Sequence, residues 1–495
     1  MSESLEDHLR RATHNFTKPL PEDQVFALGR DLARELARAH AETPPRFPDL
    51  EPARIEMKEG TPRLLGGEPA GREADQLIAL GALLHGLAAA QRPHVSWRLD
   101  GPPDATASTL RRRAVLAGLA SPRGDGYATA VAAQAALEGA LYPENDALPA
   151  WPLFRGTPSR AGTAFGVGPP STPGSLLPVW QAPLGAVIAS PLLATDLVMA
   201  GTADGRLLFL DRGTGARLHE VKAASALESS PALLDRTLAV GTDEGELVAV
   251  DVRDGRILYR TKLGAMVRSS PLFLGDRVLV GTVENKATGA LLALDARSGK
   301  PVWRRELGPV FSSPALCGDL VFIGSDDETL YAIGPEKGTV VWKCPLSGRV
   351  RATPAVLGDI VVVADFKGRV VGIAAKEGRI LWTQELGQPV YSSAALTPAM
   401  AVLGCHDGHV YGLDLRSGER VFAFTTGGPV VSSPVAMADR FLAASTDGQL
   451  YLLDASGRAV ARAAVAAEGI QSSPALDSSG LVIGSGRGLH ALRLT

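Results

Sequence analysis

A Ser-Ser-Pro-like tripeptide recurs eight times along the second part of this 495-residue chain, its third residue falling at Pro191, Pro231, Pro271, Pro314, Pro354, Ala394, Pro434 and Pro474. Six of the seven intervals are 40 residues and one is 43. A fixed period of this length limits the fold severely, because each unit must bury its apolar faces against its neighbours. Every unit runs in the same order. A short apolar stretch leads to a β-rich run such as LAVGT (238–242), an Asp/Gly turn such as DEG (243–245), and an alternating strand closing on Asp such as ELVAVD (246–251). A second Gly turn then precedes a last strand such as RILYR (256–260). Four short strands joined by Gly-containing hairpins form a meander. Eight meanders stacked radially cover one another, which predicts an all-β eight-bladed propeller of four-stranded antiparallel blades.

The last strand often carries a large ring, Trp303, Trp342 or Trp382, with Tyr259 and Phe422 in the same phase. Such a ring suits a wedge between adjacent blades. The eighth unit, beginning at Ser472, runs out at Leu492 after three strands, and Val179-Trp180-Gln181 supplies the fourth with Trp180 in wedge phase. Closure by strands from both ends removes the open edges. The expected organisation is therefore multidomain: a small mainly α-helical domain over 1–142, a Pro/Gly-rich leader over 143–178, and the propeller over 179–495.

Units such as GALLALDARSGKPVWRREL (289–307) resemble the PQQ-like, or quinoprotein-type, propeller repeat, with its G-x-hydrophobic-x-A-x-D-x-x-x-G-x-x-x-W run. WPLFRGTPSRAG (151–162) is similar to the leader that precedes the first blade in that family, which implies that part of 143–178 packs along the propeller. The resemblance invites a quinone-dependent oxidoreductase. Such enzymes use adjacent cysteines, a Trp beneath the cofactor and Glu/Asn/Asp ligands to Ca²⁺. Here Cys317, Cys344 and Cys405 lie far apart, and the tryptophans fall in outer-strand phase. No cofactor is expected, and the chain reads as a non-enzyme.

Before the leader, 22–40, 73–90 and 127–141 carry apolar residues at helical spacing. In order, SLEDHLRR (4–11), FPDLEPARI (47–55), IEMKEGTPRLL (55–65) and ADQLIALGALLHGL (74–87) resemble the C-lobe of a bacterial Ser/Thr protein kinase. FPDLEPARI sits where kinases have H-R-D-L-K-P-x-N-I, which puts Asp49 at the catalytic-base position. Phe47 replaces the His, Glu51 the Lys and Arg54 the metal-binding Asn, and the D-F-G position aligns with Gly66-Gly67-Glu68. The resemblance implies a degenerate, pseudokinase-like docking domain, because phosphoryl transfer needs the missing metal and cationic groups. A nucleotide-binding regulator of a kinase pathway is the corresponding alternative.

Charge excludes other classes. Lys and Arg number 50 against 53 Asp and Glu, for a net charge of −3, with no basic stripe for a nucleic-acid backbone. The run Leu77 to Ala90 is too short to span a bilayer, so no membrane insertion is expected. The charged first residues and three scattered cysteines suggest a reduced, cytoplasmic setting.

Most polar features fall on the repeat. Cys405-His406-Asp407-Gly408-His409 coincides with the hairpin turn of every unit and reads as a turn, not a metal site. One position varies: Ile188, Glu228, Arg268, Phe311, Arg351, Tyr391, Val431 and Gln471, reading round the ring. These residues are expected at the axial channel mouth, beside the hairpin of the one irregular unit, 283–290, which carries Lys286. Variable loops on a rigid scaffold are where binding resides. Glu228, Arg268, Phe311, Arg351, Tyr391, Gln471 and Lys286 are thus the expected contact set for a protein or peptide partner. Arg268 and Arg351 would meet an acidic or aromatic-containing segment, unless Glu228 neutralises Arg268.

Overall fold

The computed structural model describes residues 153–164 and 175–494, except 195, 438–439 and 478–479, together with the backbone of three short strands nearer the N-terminus. The chain divides into two compact units, Met1–Asp146 and Ala147–Thr495. In the first, strands Glu3–Ser4, Ile55–Lys58 and Thr61–Leu64 form a three-stranded sheet. The helices expected over 22–40, 73–90 and 127–141, and the kinase-like positions Phe47, Asp49, Glu51, Arg54 and Gly66–Glu68, lie outside the described residues.

The second unit holds eight four-stranded antiparallel sheets. Blade 2 is typical, with strands Ala232–Leu234, Thr237–Gly241, Glu246–Asp251 and Ile257–Lys262. Its two middle strands are buried, whereas the fourth alternates between exposed and half-buried residues, so it is the outer strand. The short first strands of neighbouring blades lie side by side, which places them nearest the axis. In blade 8, strands Ala475–Asp477, Gly480–Gly484 and Leu489–Leu494 are completed by Leu176–Ala182, with Ala491 opposite Trp180. The shared blade expected from the repeat is therefore present, and its closing strand begins three residues earlier than the sequence suggested.

The tripeptide has a specific duty. The backbone N–H of Ser190 donates to Ser230 Oγ at 2.9 Å, Ser230 to Ser270, Ser270 to Ser313, and Ser313 to Thr353. Thr353 continues to Ser393, Ser393 to Ser433, Ser433 to Ser473, and Ser473 back to Ser190. Eight hydrogen bonds thus run head to tail in a closed circle around the axis. The preceding serine works radially: Ser229, Ser269, Ser312 and Ser392 Oγ each accept the N–H of a second-strand glycine, Gly241, Gly281, Gly324 and Gly404. Buried backbone donors need such partners.

The wedges close the periphery. Trp180, Trp303, Trp342 and Trp382 each donate the indole N–H to a carbonyl of the next blade, those of Arg212, Pro335, Ala375 and Leu415, at 2.8–2.9 Å. Each ring lies over a turn glycine of that blade. At Gly378 (φ 71°), a Cβ would stand 2.6 Å from Trp342, so both backbone conformation and space demand glycine. The residue opposite a wedge is small: Ala293 faces Trp303, Ala332 faces Trp342 and Gly372 faces Trp382. Blades 1 and 7 invert the pattern, with Phe209 opposite His219 and Leu452 opposite Ala461.

His219 stacks on Phe209 with ring centroids 4.1 Å apart. Burial holds both His219 and His490 below the ordinary imidazole value of 6.5. Below that pH the unfolded chain takes up protons that these two sites resist, so their neutral form supports folding above about pH 6.5 and is lost on acidification. The unfolding midpoint is expected to fall between pH 7.5 and 5.5, and to fall less in a His219→Phe, His490→Gln variant. Equal slopes in thermal melts of the two proteins would contradict this.

Candidate functional site

Antiparallel pairing puts the connection into each first strand at the same end of the blade as the hairpin between second and third strands. That end forms the face where the variable positions lie, two residues ahead of the hydrogen-bonded circle. Three pairs of side chains there meet across blade seams at a step of 25 residues. Arg268 bonds Asp243 through Nε (3.1 Å) and Nη2 (2.8 Å), and its Nη1 lies 2.7 Å from Glu228. Arg351 grips Asp326 through Nε (2.9 Å) and Nη2 (2.7 Å). Its guanidinium lies over the rings of Phe311 and Phe366, 4.1 and 4.9 Å from their centroids. Tyr391 repeats the step with Phe366, at 4.3 Å between centroids, and continues to His406 at 5.8 Å.

The expected contact set thus separates into groups. Glu228 and Arg268 form a self-neutralised ion triad with Asp243, and burial pushes the Glu228 carboxyl upward despite the nearby guanidinium. Arg351 is also held by a carboxylate, so neither arginine is a free cation among the described residues. Phe311, Arg351 and Tyr391 come together with two residues that sequence reasoning did not select, Phe366 and His406, as one ledge across blades 4 to 6. Tyr391 is 44% exposed. Gln471 and Lys286 are exposed, and Lys286 lies in a turn tied by Asn285 to Thr288. The Cys405–His409 segment is a turn, as expected, with Gly408 N–H donating to Cys405 O at 3.2 Å and Asp407 accepting the His409 N–H.

The axis itself is occupied by the leader. Carbonyls of Pro158, Ser159, Ala161 and Gly162 accept the N–H groups of Leu316, Val356, Leu396 and Ala436, on the first strands of blades 4 to 7. From this clasp two side chains reach back toward the circle. Arg155 donates to the carbonyls of Arg160, Pro434 (2.6 Å) and Ala394. Arg160 donates to those of Phe154, Pro314 (3.0 Å), Ser270 and Pro271 (2.9 Å). Arg155 is 2% and Arg160 0% exposed, and neither has a carboxylate partner among the described residues. Burial lowers both to about 9, and the proximity of Arg155 adds to the effect on Arg160. Both backbones are left-handed (φ 69° and 55°), a conformation that only surrounding contacts sustain in a non-glycine residue. The sequence signal for this clasp was the pair of arginines five apart, each followed closely by glycine, in RGTPSRAG.

The guanidiniums of Arg155 and Arg160 are buried among carbonyls of the axial ring, and the described residues hold no cluster of three or more His, Cys, Asp or Glu side chains fit for a metal ion. Fold and face together define a PQQ-like-repeat propeller with a self-plugged axis and a structured rim. The sequence profile of the family described as outer membrane protein assembly factor BamB matches residues 210–309 and 287–493, more than half of the chain, and the chain belongs to that family. Among solved structures, BamB from Moraxella catarrhalis is 21% identical with a TM-score of 0.56, over 64% of this chain and 99% of that one. A europium-containing methanol dehydrogenase is 15% identical with a TM-score of 0.58, over 69% and 90%. Quinohemoprotein alcohol dehydrogenase from Comamonas testosteroni is 12% identical with a TM-score of 0.60, over 74% and 84%. At such identities the likeness is one of fold. No curated protein matches the chain.

Proposed function

We propose that this protein is a non-catalytic, cytoplasmic scaffold or sensor that docks a protein or peptide partner on the rim of its propeller, with the N-terminal unit as a second docking surface. The observation that carries the reading is the ledge of Phe311, Arg351, Phe366, Tyr391 and His406. Arg351, ion-paired to Asp326, lies over Phe311 and Phe366, and Tyr391, packed on Phe366, remains open to solvent. Rigid aromatic side chains with a pre-held arginine are the residue types that dominate binding hot spots. An assembly-factor description for the family supports the same reading. Three free cysteines suit a reducing compartment. Against the quinone-dependent alternative stands the burial of Arg155 and Arg160 among the axial carbonyls.

A photo-crosslinking residue at position 391 is expected to trap a discrete partner in cells, whereas one at Asp319, in a hairpin at the opposite end of blade 4, is not. Crosslinks from 319 alone would place binding on the other face. Reduction of a redox dye by the purified protein with added quinone and Ca²⁺ would overturn the non-catalytic part.

A further inference from the structure

The ledge is flanked by two cations that no sequence argument had selected. Arg349 and Lys367 are exposed, and among the described residues neither side chain has an ion-pair or hydrogen-bond partner. They bracket Phe366: its N–H donates to the Arg349 carbonyl at 3.0 Å, and Lys367 follows it directly. Lys367 also packs over Gly348, where a Cβ would stand 3.0 Å from its Cγ, so Lys367 and the backbone of Arg349 both lie beside Phe366 in blade 5.

The acids nearby have other partners. Asp326 is held by Arg351. Asp365, wholly buried, accepts the N–H groups of Ser347, Gly348, Lys367 and Arg369 and the Ser347 hydroxyl. Asp407 accepts from the Tyr411 hydroxyl and the His409 N–H. None of the three forms an ion pair with Arg349 or Lys367. By contrast, the corresponding residues of blades 2 and 3, Glu228, Asp243 and Arg268, neutralise one another.

We propose that the ledge of blades 5 and 6 receives an acidic peptide segment carrying an apolar or aromatic anchor. The anchor would rest on Phe366 and Tyr391, and its flanking carboxylates would meet Arg349 and Lys367. The inference rests on the protein-binding reading above and supplies the chemistry of the partner. Complementary charge sets orientation and encounter rate, whereas the desolvated ring contact supplies most of the affinity. Arg351, already paired with Asp326, acts as the support that holds both phenylalanines and is not the contact for the partner's acids.

The test is selection of a random dodecapeptide display library on the immobilised full-length protein, followed by calorimetric titration of the most enriched peptide. Enriched sequences are expected to place Asp or Glu beside Phe, Trp or Leu. Arg349→Glu with Lys367→Glu should weaken the peptide at least tenfold, Tyr391→Ala similarly, and Glu228→Ala not at all. Both cations are exposed, so the variants should melt like the parent, and circular dichroism checks this. Enriched peptides without acids, or affinity indifferent to Arg349→Glu with Lys367→Glu, would overturn the inference. Peptides lost instead on Glu228→Ala would overturn it while leaving a partner-binding rim. No enrichment from the library would count against both.

Discussion

A chain starting at Leu192 is expected to aggregate and to lose its cooperative melting transition, whereas one starting at Ala150 should keep both. Without Leu176–Ala182, the strand Leu489–Leu494 becomes an unpaired edge, and Trp180 no longer covers the turn at Gly215. An exposed apolar edge recruits other chains. A third start, at Ser175, separates the two closures: it keeps the shared blade and loses the clasp. Such a chain is expected to be monomeric with a depressed melting midpoint. Size-exclusion chromatography and thermal melts read the series. A monomeric Leu192 chain that melts like the Ala150 chain would refute closure by the shared blade.

The second large effect concerns the leader arginines. Arg160→Met removes the donor to four carbonyls, and Arg155→Met the donor to three. Each buried acceptor left without a partner costs about 1–3 kcal/mol, so a loss of at least about 3 kcal/mol is expected for either change. Lysine should restore only part, because a point donor cannot bridge carbonyls of separate blades as a planar fork does. Buried charges are sometimes replaced by apolar groups at a gain. A raised melting midpoint in Arg160→Met would therefore show that the carbonyl cage does not hold the ring.

Blade count, strand order, wedges and the closing strand were legible because each is a backbone demand repeated eight times. Glycine at 378 and alanine at 332 follow from the same ring, Trp342, seen from two sides. The rim was legible only as a set of positions. Whether Arg268 and Arg351 were free depended on which hairpin tip each would meet, and the 25-residue step to Asp243 and Asp326 crosses a blade seam. No strand pairing within a unit encodes it. The same step joins Tyr391 to Phe366, so the ledge was hidden for the same reason. The clasp was foreseen as packing of the leader but not as two buried cations, because hydrophobic patterning assigns arginine to the surface. Its partners are carbonyls, which every residue possesses and no sequence displays.

Those inward carbonyls make the propeller a host with a negatively lined interior, and residues 155–160 are its tethered guest. Because guest and host share one chain, the effective concentration of the guest is high, and a diffusing ligand must displace it to enter. On the function proposed above, recognition falls to the rim and not to the axis. There, single residues on successive blades can change without touching the host–guest core, so new specificities can be written on the rim while the ring beneath stays the same.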